Sequence, residues 1–161
     1  MPAIPAALTA LVLGAGIACH DVLIAPSSQA LAGRWSTAPE LLSPRGEFIR
    51  TLEFSTDGKY VRAVTSRGSY SQLPADAIGS FTREYGGYVL AGDTLHLAQD
   101  SVRSWDYLGG ESFRVGPTVG YIEGPPTPPV VELTSTRLTL RFMVDPGAGY
   151  VPVVQEYRRD P

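Results

Sequence analysis

An all-β fold is what this sequence predicts, and three observations predict it. Gly and Pro number 17 and 14 among 161 residues, while charged residues make up only 18%. That balance favours short strands joined by turns over long surface helices. From Gly33 onward apolar and polar residues alternate with period two, and no convincing helical stripe appears. Turn-forming pairs such as Asp57-Gly58 and Gly92-Asp93 punctuate the alternating runs. About eight to ten strands with short connections describe either a β-sandwich or an antiparallel barrel. The length suits one domain with a proper core.

The strands follow an N-terminal stretch of a different kind. Ala3–Ala18 carries no charge and runs directly into Cys19, the single cysteine. It is shorter than a membrane span, which takes about 20 residues, and suits the apolar region of a secretory signal helix. Gly16-Ile17-Ala18-Cys19 resembles the lipobox of bacterial lipoproteins, whose cysteine becomes the diacylated first residue. On that reading residues 1–18 are a signal peptide, 19–31 a tether and 32–161 the folded domain. Ser28-Gln29-Ala30 offers an ordinary signal-peptidase site as the alternative, which would make the protein plainly secreted.

The first strand runs from Gly33 to Ser36. Glu47–Ser55 then places Phe48, Leu52 and Phe54 on one face, with Thr51 and Glu53 on the other. After the Asp57-Gly58 turn, Lys59–Thr65 forms the return strand of the clearest hairpin. Gly87–Ala91 and Thr94–Ala98 flank Gly92-Asp93 as a second pair. Val130–Leu133 and Arg137–Val144 make a third, and Val151–Arg159 is the closing strand, with Pro152 at an edge or bulge. Weaker strand patterns cover Gly68–Ser71, Val102–Leu108, Glu111–Val115 and Thr118–Ile122. Ser71–Ser80 and the Pro-rich run Gly124–Pro129 read as loops, because proline offers no N–H to a ladder.

The order of these features resembles the bacterial lipocalin-like lipoproteins across residues 31–160. Gly33-Arg34-Trp35 matches the Gly-x-Trp signature that opens the first lipocalin strand. Leu52–Tyr60 is similar to the family's hydrophobic strand, Asp-Gly turn and aromatic restart. Gly87–Leu97 matches its glycine–tyrosine and Gly-Asp hairpin, and Thr136–Leu140 with Glu156–Arg159 matches its last two strands. The resemblance implies an antiparallel up-and-down barrel of about eight strands. It also implies a membrane tether through lipid on Cys19 and a possible small apolar or amphipathic ligand in the barrel. In such a barrel Trp35 on the first strand would meet Arg158 or Arg159 on the last, a structural closure by cation–π contact.

Chemistry-bearing patterns are few. The net charge is −3 and the basic residues are scattered, so the stripe that nucleic-acid phosphates require is missing. No Cys, His, Asp and Glu set has metal-ligand spacing, no cofactor is implied, and no catalytic residue is assigned. A hydrolase would have to draw on His96, Asp93 and a serine without a nucleophile elbow or oxyanion loop, so the chain is read as no enzyme. The remaining lead is aromatic. Tyr60, Arg62 and Val64 share one strand face, Tyr88 and Leu90 another, and Trp105 lies in Val102–Leu108. These six are the candidate walls of a ligand pocket. If side chains fill the barrel instead, the alternative is an envelope structural or interaction module.

Overall fold

The computed structural model describes residues 22–43, 46–116, 128–144 and 149–161. The expected signal peptide, Cys19, the strand at 118–122 and the run at 124–127 lie outside the described residues. One helical turn, α1 (Ser28–Leu31), precedes ten strands. These are β1 (Gly33–Ser36), β2 (Glu40–Ser43), β3 (Gly46–Phe54), β4 (Lys59–Arg67), β5 (Ile78–Ala91), β6 (Thr94–Asp106), β7 (Gly110–Val115), β8 (Val130–Leu133), β9 (Arg137–Val144) and β10 (Val151–Arg159).

Every pairing is antiparallel. The sheet closes because β1 pairs with β10 on one side and with β3 on the other. The result is an eight-stranded barrel in the circular order β1-β3-β4-β5-β6-β8-β9-β10. Two strands lie outside the ring. β2 continues along β3 past the β1 contact, and β7 pairs with the far half of β6. The β6–β8 seam is the narrowest, with Thr94 opposite Val130 and backbone bonds from Leu95 to Pro129 and from Val131 to Asp93.

The strongest expected hairpin is present as β3–β4. Gly58 has φ +82°, which an L side chain would resist, and Ser55 closes the turn by hydrogen-bonding the Lys59 backbone in both directions. Several boundaries differ from expectation. Gly68–Ser71 is no strand, β2 was not anticipated, and Ile78–Gly86 belongs to β5 where a loop or no strand was expected. In β5 the polar residues Thr82 and Glu84 point inward while Phe81 and Tyr85 point outward, so the strand lacks the usual apolar-in pattern. The two short strands expected at 94–98 and 102–108 are one strand, β6.

One end of the barrel is filled. Leu31, Trp35, Phe54, Tyr88, Leu95, Leu133 and Leu138 are buried there, with Phe54 and Tyr88 edge to face at 5.0 Å between centroids. Such a pair adds about 0.5–1.5 kcal/mol beyond the area it buries. Leu31 is fully buried and Ile24 donates its N–H to the Leu133 carbonyl at 2.8 Å. The stretch expected as a free tether therefore packs onto the barrel at its C-terminal part.

At the β1–β10 seam Trp35 is fully buried, opposite Leu52 on β3 and Arg159 on β10. Its indole N–H donates to the Leu31 carbonyl at 2.8 Å. The Arg159 guanidinium lies 4.2 Å from the ring centroid and donates to the Ala30 and Ala32 carbonyls. Arg158 is exposed opposite Ser36 and makes no such contact with the indole.

Candidate ligand-binding cup

The other end of the barrel is a cup of about 510 Å³, partly open to solvent. Strand parity decides what lines it. On β3, Phe48 and Arg50 are in phase with the core residues Leu52 and Phe54; on β4, Arg62, Val64 and Ser66 are in phase with Tyr60. β5 contributes Ser80 and Thr82, β9 contributes Phe142 and Val144, and β10 contributes Val153, Gln155 and Tyr157. The walls are thus aliphatic and aromatic on the β9–β10 side and polar on the β4–β5 side.

The floor is a buried polar network. Glu84 is 2% exposed, accepts a hydrogen bond from the Tyr60 hydroxyl, and pairs with Arg62 Nη2 at 2.6 Å. A carboxylate at that depth needs such partners, because burying an unpaired charge is costly. Burial, reinforced by the bond to Glu84, pushes the Tyr60 phenol far above its usual pKa. Tyr157 is pushed up to about 12, chiefly by burial, with the positive charges of Arg50 and Arg62 pulling the other way. Its hydroxyl donates to Gln155 Oε1 at 2.8 Å. Among the described residues Arg62 Nε is the single buried side-chain nitrogen or oxygen with no hydrogen-bond partner.

Arg50 occupies the register position opposite Val64, and Arg62 the one opposite Leu52, so the two guanidinium side chains are diagonal neighbours on the same face. Each has a carboxylate partner, Glu40 for Arg50 and Glu84 for Arg62. Neither carboxylate lines the cup, whereas both arginines do. Below Arg62 a second void of about 20 Å³, bounded by Leu52, Gln155 and Tyr157 among others, has room for about one water.

Of the six expected wall residues, the structure brings Arg62 and Val64 to the cup and puts Tyr60 beneath its floor. The other three lie elsewhere. Tyr88 does point inward, but at the filled end, where its hydroxyl donates to the Ser55 carbonyl. Leu90 packs against that same core. Trp105 lies on the outer face of the sheet, stacked on Phe81 with centroids 6.1 Å apart. The cause is a bulge: Tyr85 pairs with Ser101 and Gly86 with Gln99, leaving Asp100 unpaired and reversing the parity of β6. Odd residues such as Leu95 face in before the bulge, and even ones such as Val102 after it.

Reasoning from sequence missed Phe48, Arg50, Phe142, Gln155 and Tyr157 as cup residues, and Glu84 as the buried carboxylate that pairs with Arg62. A signal existed for two of them. Arg50 falls in phase between Phe48 and Leu52, and Glu84 in phase with Tyr88, so each is a charge on a core-facing row. His96 and Asp93 are both exposed. Among the described residues no group of three His, Cys, Asp or Glu side chains is placed to hold a metal. A second groove, of about 520 Å³, lies beside β2 and the 68–77 loop and is wider open than the cup. Comparison with protein-family models, with curated proteins and with solved structures finds no match.

Proposed function

We propose that this chain is an exported, lipocalin-like binding protein, tethered to a membrane through lipid on Cys19, that holds a small apolar or amphipathic ligand in the cup without transforming it. The observation that carries the reading is the half-enclosed 510 Å³ cup, with apolar walls and a few fixed polar groups at its base. Small-molecule sites have this size and this lining, commonly about 300–1,000 Å³. An eight-stranded barrel is also the smallest ring that can leave room for one small ligand. The tether rests on the uncharged run Ala3–Ala18 that ends at Cys19.

The test uses N-phenyl-1-naphthylamine, an uncharged probe that fluoresces in apolar surroundings. Saturable binding is expected, and Val64→Trp should abolish it by filling the cup while leaving the circular dichroism unchanged. No saturable binding to the folded protein would refute the ligand reading. Labelled palmitate should be incorporated by the chain in a bacterial host and not by Cys19→Ala. Label retained in that variant would refute the tether.

A second reading, an envelope interaction module, is favoured by one observation. β7 lies off the barrel with Phe113 and Val115 at 62% and 81% exposure, on a strand paired along one edge to β6. Exposed apolar strands of this kind are natural sites for another chain to add to. Failure of the probe test, with the barrel intact, would favour this reading.

A further inference from the structure

We infer that the cup selects ligands with an anionic head, a carboxylate in particular, and that the head binds at the floor with the apolar tail directed to the mouth. The inference rests on the ligand reading above and specifies its chemistry. Its starting point is Arg62. One guanidinium nitrogen, Nη2, is committed to Glu84, while Nε is buried and unpartnered. A buried donor left without an acceptor carries the full desolvation penalty of its N–H, so this guanidinium keeps hydrogen-bonding capacity that Glu84 does not meet.

The surroundings favour a charged oxygen. Arg50 and Arg62 are diagonal neighbours on adjacent strands, and both positive side chains line the same cavity. Their counter-charges Glu40 and Glu84 do not line the cavity. An anion in the cup therefore meets two guanidinium side chains at its wall and neither carboxylate. Screening by water is reduced at that depth, which strengthens the attraction. Guanidinium N–H groups also match the planar oxygens of a carboxylate better than a single point charge would.

The remaining lining sets the orientation. Val144, Val153 and Phe142 provide apolar wall on the β9–β10 side. Arg62 lines the cup low in the barrel, next to Glu84 and Tyr60. A head bound there leaves the tail no direction but outward, against those walls. A positive head in the same place would meet two arginines, and an uncharged hydroxyl would gain one ordinary hydrogen bond.

The experiment displaces bound N-phenyl-1-naphthylamine with three ligands that share a tail: decanoate, decanol and decyltrimethylammonium. Decanoate is expected to compete about ten- to a hundredfold more strongly than decanol, the usual advantage of a charge-assisted hydrogen bond, and the ammonium least. Acetate should not compete, because it lacks the tail. Arg62→Lys keeps a positive partner for Glu84 but removes the Nε donor, and it should erase most of the preference for decanoate while the probe still binds. Arg50→Gln, nearer the mouth, should reduce that preference several-fold and leaves the Arg62–Glu84 pair intact should the first variant fold poorly. Equal competition by the three ligands, or a preference that survives both substitutions, would overturn the inference and leave the cup a non-selective apolar site. Failure of the uncharged probe itself would overturn the ligand reading on which the inference stands.

Discussion

Trp35 ties the first strand of the barrel to the last. It is fully buried, donates its indole N–H to Leu31, and sits under the Arg159 guanidinium. Trp35→Ala removes all three interactions and leaves a cavity between the first strand and the last. The expected loss is about 3–5 kcal/mol, read from denaturant midpoints; a midpoint that does not move would contradict the assignment. Its position was legible, because Gly33-Arg34-Trp35 opens the first strand and an indole there must face inward. Tyr157 supports a second expectation. Its folded pKa of about 12 lies above the usual 10.0, so the stability it lends is complete below pH 10 and is lost as pH rises through 12. The amount is roughly 2–3 kcal/mol. Alkaline unfolding should therefore be steep in that range, with Tyr60 acting in the same direction, and Tyr157→Phe should flatten part of it. Identical pH profiles for the two proteins would count against this. Nothing local marked Tyr157 as part of a site, since its neighbours Arg50 and Arg62 are about a hundred residues away in the chain.

Among the elements, β5 and β6 decide the shape of the site. The bulge at Asp100 lets β6 change the face it presents midway, so one long strand serves the barrel in its first half and carries β7 in its second. Gly86 faces the bulge. A Cβ there would run into the Ala98 carbonyl oxygen and would lie 2.8 Å from the Tyr60 ring. The carbonyl is held in the ladder and cannot yield, so Gly86→Ala should cost about 1–3 kcal/mol as an overpacked site. It should also disturb the bond from Tyr60 to Glu84. A variant as stable as the parent would show that the bulge is more plastic than this geometry allows. The hairpins around Asp57-Gly58 and Gly92-Asp93 were plain. The first half of β5 was not. Its inward row is Ser80, Thr82 and Glu84, which looks like a solvent face until the polar cup is known to lie inside. Trp105 misled because the bulge at Asp100 reverses the parity of β6, which turns Val102 inward and Trp105 outward.

At the scale of the whole molecule the barrel has two unlike halves. The half nearest Trp35 is packed with Leu, Phe and Tyr side chains, and the other holds the cup. Packing and open space are thereby ordered along one axis, with Phe142 and Tyr157 at their boundary, so a substitution such as Val64→Trp fills the cup from the end away from Trp35. The separation also sets a direction. The chain approaches the barrel from its N-terminal side at the filled end, where Ile24 bonds to Leu133, Leu31 is buried, and Arg159 clamps the Ala30 and Ala32 carbonyls. The residues between Cys19 and Val22 reach only about 10 Å at full extension. An acyl group on Cys19 would accordingly stand the barrel on its filled end, with the mouth of the cup turned away from the lipid. Such a protein would collect its cargo from the surrounding water and not by skimming it from the bilayer beneath. Uncharged probe added to the aqueous phase should then load the vesicle-anchored protein as fast as the free domain; loading that slows on anchoring would mean the mouth faces the lipid after all.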